Sequence, residues 1–266
     1  MPEIVIGNQL VVIVAGGFLV GLLVGLTGVG AGALTTPMLV QVVGLPPAVA
    51  VGTDLLFASI TKGSAAWRHH SLGNVNWSIL KWLALGSVPG AAIVIVWLAV
   101  AQPETAQLAA TVRGALAVAL VFSAVAIVAC AAVVKCGLRE GGEAHVPARR
   151  IPTLVFGVVL GALVAITSVG AGAIGVTVLA LLYPALAARR LVGTDIVHAI
   201  PLTFVSGLGH LGLGNVDFKV LGVLLLGSIP GIAIGSRLTG IFPDWLVRVA
   251  LAIVLLNAAW LLTLKK

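Results

Sequence analysis

The sequence predicts an all-α polytopic membrane protein made of two homologous halves, each with about four apolar segments and a glycine-broken or re-entrant first segment. Three observations predict it. The composition is 60% hydrophobic and 9% charged, against about 25% charged in a soluble domain. Eight apolar stretches approach or exceed the length of a membrane span, which needs about 20 residues. Short motifs recur along the chain at a constant offset, the signature of an internal repeat.

The apolar stretches lie at 9–43, 46–67, 77–101, 106–134, 151–184, 190–211, 218–238 and 243–264. The two that open the halves, 9–43 and 151–184, would be about 50 Å long as straight helices, beyond a hydrocarbon core of about 30 Å. Each must therefore break. Thr27-Gly28-Val29-Gly30-Ala31-Gly32-Ala33 and Thr167-Ser168-Val169-Gly170-Ala171-Gly172-Ala173 mark the breakpoints, because clustered glycines remove helix propensity. Val51-Gly52-Thr53-Asp54 recurs as Val192-Gly193-Thr194-Asp195, Gly73-Asn74-Val75 as Gly214-Asn215-Val216, and Gly86-Ser87-Val88-Pro89-Gly90 as Gly227-Ser228-Ile229-Pro230-Gly231. These three pairs share an offset of 141, and the glycine strings are offset by 140. Residues 1–134 thus form the first transmembrane repeat, 135–150 a polar linker and 151–266 the second repeat.

Charge predicts how the halves face each other. Leu45-Pro46-Pro47 is uncharged where its counterpart carries Arg189 and Arg190, and Arg68-His69-His70 stands opposite Gly209-His210-Leu211. Loops that exchange charge between halves are expected of inverted repeats under the positive-inside rule, although Lys265 and Lys266 then fall on the disfavoured side. The net charge of +7 comes from basic residues scattered singly between apolar stretches, so it is a topology signal rather than a nucleic-acid footprint. Cys130 and Cys136 are too few for a disulfide framework and lack partners for a metal site. The N-terminus has no basic stretch or small-residue cleavage pattern, so the spans themselves are expected to target the chain to the cell membrane.

Most acidic residues fall in terminal or loop segments, whereas Asp54 and Asp195 lie within apolar segments at equivalent positions. A carboxylate at membrane depth costs about 2.5–3.5 kcal/mol on insertion scales. The aspartates either cap half-buried helix starts or line a polar pathway, binding a coupling cation or exchanging a proton. Lys62, eight residues after Asp54, shares its helical face and could attract an anion or snorkel to the interface; its counterpart is Thr203. His198, three residues after Asp195, is placed to share its proton or to sit in the core. A helix that restarts in mid-membrane presents unpaired N–H groups and a positive dipole end, an address for anions. Thr27, Thr35, Thr36, Thr167, Ser168 and Thr177 flank the breaks with hydroxyls. The expected substrate contacts are therefore Thr27, Gly28, Gly30, Gly32, Thr35, Thr53, Lys62, Ser168, Gly170, Gly172 and Thr194, with Asp54, Asp195 and His198 as coupling residues.

Gly207-Leu208-Gly209-His210-Leu211-Gly212 matches a dinucleotide fingerprint by letter, but it follows a membrane span instead of a strand. No zinc-protease motif, nucleophile elbow, phosphate loop or Cys/His cluster occurs, so neither an enzyme nor a cofactor or metal is expected.

The glycine-rich opening Gly28-Val29-Gly30-Ala31-Gly32, the paired Gly-Thr-Asp steps and the paired Gly-Asn-Val turns resemble the TauE/SafE family of sulfite-exporter-like permeases over nearly the whole chain outside 135–150. The resemblance implies a carrier of small sulfur-containing anions such as sulfite, sulfoacetate or related organosulfonates, driven by the proton-motive force or passive. Its partners would be the anion, the lipid bilayer and protons or a coupling cation. An anion channel is the alternative, lacking saturable, gradient-coupled uptake.

Overall fold

The computed structural model describes residues 8–27, 32–101, 104–136, 146–238 and 244–264. Ten α-helices follow one another among the described residues: α1 Asn8–Thr27, α2 Gly32–Met38, α3 Pro47–Ser71, α4 Trp77–Ala101, α5 Thr105–Cys136, α6 Arg150–Thr167, α7 Ala173–Leu182, α8 Ala188–Gly212, α9 Phe218–Leu238 and α10 Asp244–Leu264. α2 widens into a π-helical turn over Leu39–Val43, ended by Gly44 in the left-handed conformation at φ 78°. Among the described residues six helices are long and apolar enough to cross a membrane. Exposed Ile93, Val100, Phe122, Ile151 and Leu226 give the bundle an apolar exterior suited to lipid.

The second overlong segment is interrupted where the sequence requires it, and the first folds back on itself, with Met38 of α2 against Gly16 of α1. In the second half α6 stops at Thr167 and α7 begins at Ala173. Ser168 caps α6 at φ 59°, while Gly170 and Gly172 adopt φ 130° and 133°, values at which a Cβ is strained. The break satisfies part of its own backbone, since Val169 N–H donates to Thr167 Oγ1 at 3.1 Å and Ser168 N–H to Val164 O at 2.7 Å. In the first half α1 ends at Thr27 and α2 begins at Gly32; Gly28 and Gly30 lie outside the described residues.

The halves are interlocked. α1 packs most extensively on α9, and its repeat counterpart α6 packs on α4. Both seams are glycine against backbone. Gly17, Gly21 and Gly25 lie on Leu224, Ser228 and Ile232, so α1 and α9 run in the same direction. Gly86 and Gly90 meet Leu154 and Val158 in the same way on α6. Small residues permit this close approach of helices where lipid offers no hydrophobic drive. By contrast the equivalent helices α3 and α8 run antiparallel, with Gly52 on Asn215, Leu56 on Gly207 and Gly193 on Asn74. α5 pairs with α10, and their buried Leu116, Leu120, Leu251 and Leu255 enclose Ala33 and Val169 from the two breaks.

The Gly-Thr-Asp steps do not cap helix starts. α3 begins at Pro47 and α8 at Ala188, so both aspartates fall two turns inside their helices. The Gly207–Gly212 string likewise forms the last turns of α8, with Gly207 against Leu56 and Gly209 against Ile95, a helix-packing role.

Gly21→Val forces a β-branched side chain against the Ser228 backbone and should destabilise the protein by about 1–3 kcal/mol. Gly63→Ala on α3 meets open space and should be neutral or slightly stabilising. Thermal melting of the two variants in detergent checks the contrast.

Candidate functional site

The two helix breaks meet inside the bundle, where Gly32 at the start of α2 lies against the backbone of Ser168. This meeting brings the hydroxyls of α2 and of the second break toward α3. Thr36 Oγ1 donates to Asp54 Oδ2 at 2.5 Å, within the range of a charge-assisted bond. The hydroxyls of Thr35 and Ser168 stand beside the same carboxylate. Thr35, Thr36 and Asp54 are fully buried.

Asp195 occupies the corresponding place against α7 without such donors. At the offset of 140 that relates the glycine strings, Thr35 and Thr36 are replaced by Gly175 and Val176. The Asp195 carboxylate packs directly on Gly175, and the Gly172 N–H at the α7 N-terminus acts on it. Neither oxygen has a hydrogen bond of good geometry, although the residue is fully buried.

Lys62 lies between these two environments. Its Nζ donates to Ala171 O within the second break at 3.2 Å, and its charge acts on both Asp54 and Asp195. Neither aspartate is among the groups acting on the other. The acids therefore do not form a dyad; each belongs to one half-helix, with the lysine between them. A snorkelling lysine would reach the interface, whereas Lys62 is buried and turned inward.

His198 does not share a proton with Asp195. Its Nε2 lies 2.7 Å from Ser87 Oγ on α4, and its Nδ1 is buried without a partner. Ser87 was not expected from its sequence position, although the recurrence of Gly-Ser-x-Pro-Gly in α4 and α9 marked it.

Thr53 and Thr194 are also placed differently from the expectation. Thr53 Oγ1 accepts the Asp217 N–H at 3.0 Å, and Thr194 Oγ1 accepts the Asn76 N–H at 2.9 Å. Each Gly-Thr-Asp step thus clasps the loop that follows the Gly-Asn-Val turn of the other half. The neighbouring glycines permit the contact, because a Cβ at Gly52 or Gly193 would strike the backbone of Asn215 or Asn74. These threonines hold the scaffold rather than line the break. Gly32, Thr35, Ser168, Gly170, Gly172 and Lys62 remain around the meeting point, with Asp54 and Asp195 on either side. Thr27 ends α1, and Gly28 and Gly30 are outside the described residues. No group of His, Cys, Asp and Glu suited to a metal ion occurs among the described residues.

Thr53→Val and Thr194→Val leave a backbone N–H without its acceptor and should each cost about 1–3 kcal/mol. Because the clasps are equivalent and well separated, the double variant should show nearly additive loss. Equilibrium unfolding in mixed micelles measures both quantities.

Three relatives place the chain among known proteins. It is 38% identical over 225 residues to the probable membrane transporter protein YjnA of Bacillus subtilis (strain 168), covering 84% of this chain and 87% of that protein. It is 26% identical over 242 residues to the probable membrane transporter protein YdhB of the same organism, covering 88% and 92%. A shorter match, 38% over 74 residues, links it to the probable membrane transporter protein YunE, also of Bacillus subtilis, over 28% and 26% of the two chains. No solved structure matches. The family profile described as "Sulfite exporter TauE/SafE" matches residues 13–262, nearly the whole of both repeats, and the chain belongs to that family.

Proposed function

We propose that this protein is a membrane carrier of small sulfur-containing anions, with sulfite, sulfoacetate and related organosulfonates as the substrate class. The observation that carries the reading is the meeting of two interrupted helices beside a buried lysine, in a chain of the sulfite exporter family. An anion entering there finds the Lys62 ammonium, the N-terminal dipole of α7 and the hydroxyls of Thr35 and Ser168. Each is a favourable partner for negative charge, and the surrounding protein excludes the water that would screen them.

The transport cycle rests on inverted repeats. The antiparallel course of α3 and α8 supports this arrangement, since equivalent helices related by a two-fold axis run antiparallel only when the axis is perpendicular to them. For helices that span the bilayer, such an axis lies in the membrane plane. The parallel pairs α1–α9 and α4–α6 fit the same axis. One half then opens the site to one face of the membrane and the other half to the opposite face. Gly73-Asn74-Val75 and Gly214-Asn215-Val216 fall on opposite faces in this scheme.

Two measurements test the reading. Thiols introduced at Asn74 and Asn215 should react with an impermeant reagent from opposite sides of sealed vesicles; reaction of both from one side would remove the inversion. Liposomes containing the protein should take up radiolabelled sulfite or sulfoacetate saturably, and Gly170→Val should slow uptake by more than about tenfold. The same variant strains a backbone held at φ 130° by about 1–3 kcal/mol, so its melting temperature is measured alongside. Non-saturable flux would indicate a channel.

A further inference from the structure

The helix end best suited to an anion already faces one. α7 begins at Ala173 after the break, and the Asp195 carboxylate is packed on Gly175 in its first turn and acted on by Gly172 N–H. The side chain is fully buried, both oxygens lack a hydrogen bond of good geometry, and the nearby cation Lys62 is bonded to Ala171 O. In the first half, by contrast, Asp54 is held by the Thr36 hydroxyl.

We propose that Asp195 is a tethered competitor for the transported anion: ionised, it occupies the N-terminus of α7, and protonated, it yields that place, so that one proton and one anion bind together. This inference rests on the anion-carrier reading and adds the manner of coupling. An ionised Asp195 and a bound anion would place two negative charges against one helix terminus and one lysine in a low-dielectric interior, where like charges repel strongly. Protonation removes one of them. The proton binds an Asp195 oxygen that has no donor to displace, and no bond within the protein is broken.

The other groups facing Asp195 do not provide the same switch. Gly172 and Gly175 of α7 do not titrate, Lys62 of α3 supplies the positive charge, and His198 on α8 is tied to Ser87 of α4 with its second nitrogen unpartnered. Asp54 is not among the groups acting on Asp195.

The test is binding of 2-hydroxyethanesulfonate, whose charge is constant over the range used, to the purified full-length protein between about pH 6 and pH 9. One linked proton makes affinity fall by up to about tenfold for each pH unit. The wild type should show this dependence and take up one proton per anion in weakly buffered solution. Asp195→Asn cannot titrate and should bind with little pH dependence and no proton uptake; Glu104→Gln, at the exposed residue ahead of α5, should keep the dependence. An unchanged slope in Asp195→Asn, no proton uptake by the wild type, or sodium replacing the proton would overturn the proposal while leaving an anion carrier in place. Failure of the wild type to bind sulfite, sulfoacetate or 2-hydroxyethanesulfonate at any pH would overturn both readings. If Asp195→Asn does not accumulate, proton uptake by the wild type decides the matter.

Discussion

Inside a bilayer no water is available to a backbone N–H or C=O that leaves its helix, and each such group costs several kcal/mol. That constraint governs this molecule, because both of its opening segments are interrupted. An interruption can persist only where the protein itself surrounds it. α5 and α10 provide the enclosure, closing buried leucines around Ala33 and Val169. Thr167 and Lys62 supply local partners to Val169 N–H and Ala171 O. The glycine seams α1–α9 and α4–α6 pull the surrounding helices close enough to exclude lipid. Seams and site are thus parts of one solution, in which close packing outside permits irregular backbone inside.

The two halves share a scaffold but not a site. Seams and clasps recur in both: Gly52 and Gly193 admit the loop carbonyls of Asn215 and Asn74, while Thr53 and Thr194 accept the loop N–H groups of Asp217 and Asn76. Around the meeting point the equivalence lapses. Lys62 is equivalent to Thr203, His198 to Phe57, and Thr35 and Thr36 to Gly175 and Val176. These differences give one buried aspartate a hydroxyl partner and leave the other against bare glycine. The recurring motifs give both sides the same geometry, and a few buried positions make their electrostatics differ.

Much of this architecture was legible in the sequence because its causes are local or periodic. Span length required a break in each opening segment, and the second glycine string located the one between α6 and α7. The site was only partly legible, since its bonds join residues distant in the chain. Thr36 reaches Asp54 across a turn, and His198 reaches Ser87 from the other half, pairings that depend on how helices cross. Thr53 and Thr194 misled for a related reason: beside a buried acid, a threonine has the chemistry of a ligand. Its clasp becomes apparent only when the other half's loop is in place. The recurrence of Gly-Thr-Asp and Gly-Asn-Val in the same order held that information, because each motif is the receptor for the other.

The interlocking of the halves bears on where such a chain comes from. Neither α1 nor α6 finds its main partner in its own repeat; α1 rests on α9, and α6 on α4. A single half would emerge from the ribosome with two unfilled glycine seams and an unclasped loop. Two copies of it, placed head to tail, would fill one another's seams. The seams are therefore of the kind that two separate copies of one half would fill for each other. A pair of identical copies would carry any buried lysine twice, whereas a single chain can hold Lys62 on one side and Thr203 on the other, and with them an unequal pair of acids.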